Sequence, residues 1–202
     1  MTTAKPWRVS VWLPVVAGLA LVFFLAIPQL PGLADTERPV EAGEILTAQT
    51  ASFEPASGWS LDLDAATNAR PTVALDGITV QLRDGVWFGS TANLLQRLAE
   101  QLSDAGASVG PLPDAPTDDG LVSLDPEKPA SEFIPRAEYV IEYTSGDVTG
   151  RLLVVREDAT VALLRSTGAQ SRLAEQAPAI AAMEDSVETG AVSVDTVPTE
   201  PR

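Results

Sequence analysis

Apolar residues along the chain form one long unbroken run followed by several short periodic segments. Residues 9–27 read VSVWLPVVAGLALVFFLAI, nineteen positions in which Ser10 is the single polar side chain. A helix rising about 1.5 Å per residue needs about 20 apolar residues to cross about 30 Å of hydrocarbon, so this run predicts a transmembrane helix. Pro14 is tolerated in its first turns, whereas Pro28, Pro31 and Gly32 end it. Trp7 and Trp12 stand where an interfacial aromatic belt would lie.

Beyond this run the period shortens to two. Trp59, Leu61 and Leu63 alternate with Ser60, Asp62 and Asp64, the pattern of a half-buried strand. Residues 72–75 and 78–82 predict two more strands joined by Asp76-Gly77, a pair that accepts the positive φ of a tight hairpin turn. Ile78, Val80 and Leu82 then face inward, with Thr79, Gln81 and Arg83 outward. Residues 45–53 form a less regular strand candidate. A helix is expected from the Ser90 N-cap to Ala105, stopped by Gly106, with Ala92, Leu94, Leu95, Leu98, Ala99 and Leu102 on its buried side. Residues 138–144, 148–156 and 160–165 predict a three-strand meander with Tyr139, Ile141, Tyr143, Val161 and Leu163 in the core. A last helix covers residues 170–188 and buries Leu173, Ala177, Ile180 and Val187; Pro178 either kinks it or begins a second piece. The fold class is therefore α+β, an antiparallel sheet covered by helices and preceded by one transmembrane helix. The expected organisation is an N-terminus at 1–8, the span at 9–27, a stalk at 28–43, the α+β domain at 44–188 and a disordered tail at 189–202.

Charge orients this plan. Lys5 and Arg8 are the only charged side chains before Asp35, and the chain from Asp35 onward holds 11 basic against 28 acidic residues, a net charge of −17. By the positive-inside rule residues 1–8 stay cytoplasmic and the acidic remainder lies outside, the layout of a single-pass signal-anchor protein in the cell membrane. A cleaved secretory signal is the competing reading, because Gly32-Leu33-Ala34 places small residues before Asp35. The apolar core, however, exceeds the roughly 7–15 residues of a signal peptide. Membrane lipid is thus an expected partner through the N-terminal helix. Nucleic acid is not, since no basic stripe is present to displace counterions.

The chain contains no Cys and no His, which removes thiolate nucleophiles, disulfides, Cys/His zinc sites and every mechanism needing a histidine base. Enzyme chemistry would have to use carboxylates or a serine. Asp62 and Asp64 would share one strand face, yet such a pair usually serves solubility. Residues 114–120 (DAPTDDG) offer oxygen ligands without the spacing of a calcium loop. Ser90 follows Gly89, but its place as an N-cap already accounts for it. Trp59, Trp87 and Phe88 could line a groove, although such residues more often pack in a core. The long 107–136 segment, with Phe133, Ile134 and Arg136, is the expected place for a binding surface. No catalytic, cofactor-binding or metal-ligating residue is assigned.

Taken together, the GWSL opening at 58–61, the Asp76-Gly77 hairpin, the Ser90 helix, the meander EYVIEYTSGDVTGRLLVVREDATVALL and the closing helix through Ala179, Ile180 and Ser186 resemble the PsbP-like fold. The layout is also similar to small membrane-anchored or lipidated proteins of high-GC Gram-positive bacteria. The resemblance covers about 130 residues by element order rather than by a diagnostic motif; the N-terminal span departs from it, and no lipobox cysteine is present. It implies a binding or accessory domain serving a larger envelope assembly, without cofactor. The expected function is accordingly a non-enzymatic extracytoplasmic domain with an envelope protein as partner; the alternative is an enzyme using carboxylates or serine without histidine.

Overall fold

The computed structural model describes residues 37–67, 69–121 and 133–190. The expected transmembrane helix, the residues before it, the candidate cleavage site at Ala34 and everything after Gly190 lie outside these residues. So do residues 28–36 of the stalk. Among the described residues no helix is long and apolar enough to cross a membrane.

The chain opens with short strands β1 (Glu37–Pro39), β2 (Leu46–Thr47), β3 (Ala51–Phe53) and β4 (Ser60–Asp62), then a helical turn α1 (Leu63–Thr67). Hairpin β5 (Thr72–Leu75) and β6 (Ile78–Val86) leads to helix α2 (Thr91–Asp104) and the short β7 (Ser108–Val109). Strands β8 (Ala137–Ser145), β9 (Val148–Glu157) and β10 (Thr160–Gly168) form the meander, and α3 (Gln170–Glu175), α4 (Ala177–Asp185) and β11 (Glu188–Thr189) close the fold. Eight strands make one antiparallel sheet in the order β1-β4-β5-β6-β10-β9-β8-β7, and β11-β3-β2 make a second, small sheet. This is the α+β class that the sequence predicts.

Local signals account for the turns and for α2. Asp76 and Gly77 take φ of 48° and 79°, the positive values a two-residue hairpin of this hand requires. In α2 the Ser90 hydroxyl accepts from the Asn93 N–H at 3.3 Å, and Gly106 ends the helix at φ 86°. Leu94, Leu95, Leu98 and Leu102 are buried along one side of that helix.

Two cores lie on opposite faces of the large sheet. Beneath α2, the leucine face packs on Ile141, Tyr143, Leu152, Val154, Val161 and Leu163. On the other face Ile78, Val80, Leu82, Leu153, Val155, Ala162 and Leu164 pack with Phe53, Trp59, Ile180 and Met183. Strands β9 and β10 are buried on both sides, which is why they read as continuous apolar runs rather than alternations.

Several boundaries differ from expectation. The stalk assigned to 28–43 is partly folded: β1 pairs with β4, Val40 is buried and Arg38 is paired with Glu44. Two residues assigned to the tail, Thr189 and Gly190, are folded: Glu188 and Thr189 pair with Ser52 and Ala51, and the Gly190 N–H donates to the Thr50 carbonyl at 2.6 Å. Leu63 and Asp64 do not extend a strand. The Asp62 carboxylate accepts from the Ala65 N–H at 3.0 Å and caps α1, turning the chain away from the sheet. The last helix breaks at Gln176, so that Pro178 sits in the first turn of α4, where a missing N–H costs nothing. Ala177 is consequently exposed, while Met183 and Glu184 are buried instead.

Candidate functional site

Among the described residues the large sheet is covered unevenly. No residue of β4, β5 or β6 enters the core beneath α2. Cross-strand partners share a face, so the register shows what those strands present there: Leu163 lies opposite Arg83, Arg165 opposite Gln81, and Gln81 in turn opposite Thr72. Arg83 and Arg165 are diagonal neighbours on adjacent strands, at a spacing of about 7–8 Å between backbones. The result is a polar strip beside α2 containing Thr72, Thr79, Gln81, Arg83 and Arg165, with Gln81 Nε2 donating to Thr72 Oγ1 at 2.8 Å.

Arg165 is held in place. Its Nε donates to the Tyr143 hydroxyl at 2.6 Å, and its guanidinium lies 5.7 Å from the ring centroid. Tyr143 reaches β10 from β8 by lying across Gly150 of β9, where any Cβ would overlap the ring. Glycine in mid-strand thus has a specific use here. Burial raises the Tyr143 pKa, with Arg165 opposing, so the phenol keeps its proton while accepting from Nε. Arg83 is half-buried; desolvation, then the like charges of Arg70 and Arg165, pull it down to about 10. The charges of Arg70 and Arg165 are thus both felt at Arg83. The carboxylate on this face of β4–β6 is Asp62, which is engaged in capping α1.

A second node is structural. Arg156 is fully buried; Nη1 donates to Thr91 Oγ1 at 2.6 Å and Nη2 to the Gly89 carbonyl at 2.8 Å. Asp119 accepts from the Thr91 N–H at 2.8 Å and lies 3.4 Å from Arg156 Nη1. The carboxylate also favours the positive end of the α2 dipole. Burial lowers the Arg156 pKa and Asp119 opposes the shift.

These contacts decide the fate of the sequence candidates. Asp62 and Asp64 do not form a pair on one strand face, and Ser90 caps α2. Within 114–120, Asp119 is committed to Thr91 and Arg156, while Asp114 and Asp118 point to solvent. Trp59 is buried in one core and Trp87 packs against the other, its Nε1 donating to the Ser90 carbonyl at 2.9 Å, so the two do not line a groove with exposed Phe88. The 107–136 segment is tied down at both described ends. The Ala92 N–H donates to the Pro116 carbonyl at 3.0 Å, Ile134 is buried and exchanges hydrogen bonds with Asp158, and Arg136 donates to the Val187 carbonyl at 2.7 Å. Phe133 is exposed.

The sequence pattern does not disclose the arginine strip, because residues 70, 83 and 165 are far apart in the chain and unremarkable singly. Gly150 within an apolar strand is the one signal of a close approach that the sequence offers.

No protein-family model matches the chain, and no curated protein matches it in sequence. Among solved structures the chain is similar to LpqN, a protein involved in cell envelope biogenesis of Mycobacterium tuberculosis, at 12% identity and a TM-score of 0.33, over 77% of this chain and 91% of LpqN. At that level the likeness assigns neither a family nor an activity.

Proposed function

We propose that this chain is a single-pass membrane protein whose folded part is a non-enzymatic binding or accessory domain on the outer side of the cell membrane. The placement rests on the apolar run at 9–27, preceded by Lys5 and Arg8 and followed by an acidic remainder. The observation that carries the binding reading is the uneven cover of the large sheet among the described residues, with the polar strip of Thr72, Thr79, Gln81, Arg83 and Arg165 beside α2. The side chains best suited to chemistry, Asp62, Ser90 and Asp119, are engaged in holding α1 and α2. The resemblance to PsbP-like proteins points the same way. Because β1 starts at Glu37, nine residues, 28–36, separate the apolar run from the folded part, a reach of at most about 35 Å. The domain would work close to the bilayer surface.

Fusing after Gly190 a reporter enzyme that is active only outside the cytoplasm tests the placement. Activity from the fusion is the expected result. A silent fusion, together with signal from a reporter that works only in the cytoplasm, would overturn it.

A further inference from the structure

We infer that the end of the large sheet at which β6 finishes rests on the outer surface of the bilayer, with Phe88 and Phe133 inserted at the level of the lipid headgroups. This rests on reading residues 9–27 as a membrane span and adds how the folded part sits on the lipid. Register fixes which end this is. β1 is antiparallel to β4, β4 to β5 and β5 to β6, so β1 runs against β6 and the chain arriving at Glu37 comes from the side on which β6 ends. The β9–β10 turn lies at the same end, since Thr160 stands opposite Val86 and the Trp87 N–H donates to the Ala159 carbonyl at 2.8 Å. Ile134 joins it there, exchanging hydrogen bonds of 2.9 Å with Asp158.

The two ends of the sheet differ in what they expose. At the end facing the stalk Val86 is 38%, Phe88 46% and Phe133 62% exposed. The opposite end carries the exposed turns Asp76-Gly77 and Ser145-Gly146-Asp147, next to Val148. Exposed apolar groups gathered in one place mark a contact with protein or membrane. The tether favours membrane. Glu37 shares a row with Asp62, Thr72 and Gln81, and from Gln81 to Val86 is five residues of strand, about 17 Å. Residues 28–36 reach at most about 35 Å, enough to set this end on the bilayer without the chain reversing its direction. A tether this short also holds the domain at a high effective concentration beside the lipid, so two aromatic anchors suffice where a free domain would need more. Carboxylates at this end are engaged within the fold: Asp119 with Thr91, Glu157 with Thr189 and Asp158 with the Ile134 N–H.

Phosphatidylcholine discs holding one full-length chain each, with part of the lipid bearing a nitroxide on its headgroup, test this. The chain lacks Cys, so a fluorophore can be attached singly through Asp118→Cys or, in the β8–β9 turn, through Asp147→Cys. Asp118 is exposed two residues before Gly120, which abuts the Phe88 carbonyl. The ten residues of β9 set the two ends about 33 Å apart, beyond the range of contact quenching. Strong quenching at position 118 and little at 147 is expected. Phe88→Ser and Phe133→Ser should each lower the ratio of docked to undocked domain about tenfold and together make the two labels equal, with thermal melts reporting the fold of each variant. Equal quenching at the two labels in the wild type, or quenching at 118 that the double variant leaves unchanged, would overturn the docking. So would an asymmetry seen only when several chains share a disc, which would assign this end to a second copy. A chain that does not enter discs at all refutes the span and the docking together, whereas equal quenching in a chain retained by discs refutes the docking alone.

Discussion

Replacing Arg156 by Met removes the buried cation that joins the end of β9 to the start of α2. Two short hydrogen bonds are lost, to Thr91 Oγ1 at 2.6 Å and to the Gly89 carbonyl at 2.8 Å. Each bond from a charged donor is worth about 1.5–3 kcal/mol. The contacts to Asp119 and to the Asp158 carbonyl, both at 3.4 Å, add little. Met restores much of the apolar contact made by the arginine stem. Asp119 is still 17% exposed and can take up water, which places the effect near the low end of the range for breaking a buried pair. The expected destabilisation is about 3 kcal/mol, equivalent to roughly 6–12 °C for a domain of this size. Urea unfolding of a chain running from Asp35 to Gly190 measures it through the denaturation midpoint. Trp87, bonded to the Ser90 carbonyl at 2.9 Å, supplies a local fluorescence signal. Asp119→Ala should be non-additive with the arginine change, since both act on Thr91. A loss under about 1 kcal/mol, or full additivity, would refute the view that this node clamps the 107–121 segment to α2.

Burial sets two further outcomes. Leu98→Asp places a carboxylate at a position with 0% exposure on the α2 face and should cost several kcal/mol, read in the same melts; unchanged stability would mean that this face is not packed on the sheet. Burial raises the Glu184 pKa above 4.5 more strongly than Arg151, 3.0 Å away, lowers it, so the contribution of Glu184 to stability is present below about pH 4.5 and is lost as pH rises through its folded value. Glu184→Gln should therefore gain on the wild type as pH rises through that window, and a constant difference between the two melts would contradict the assignment.

Sequence alone determined what depends on near neighbours. The Asp76-Gly77 turn, the capped α2 helix with its leucine face and the three-strand meander all follow from local periodicity, turn chemistry and capping, because their contacts close over short loops. The pairing of β6 with β10, which joins the early hairpin to the late meander, was not legible: register between distant strands depends on packing of the whole sheet. The same reason hid β1 and β11, two short strands stabilised only by partners elsewhere in the chain. Periodicity also fails where both faces are covered, so Leu153, Val155, Ala162 and Leu164 carry no signal of their own beside the alternate neighbours that periodicity assigns to the core. The candidate site is of this second kind. Whether an arginine faces a carboxylate, a phenol or open solvent is decided by which strand lies beside it, and for Arg83 and Arg165 the tertiary structure alone sets that neighbour.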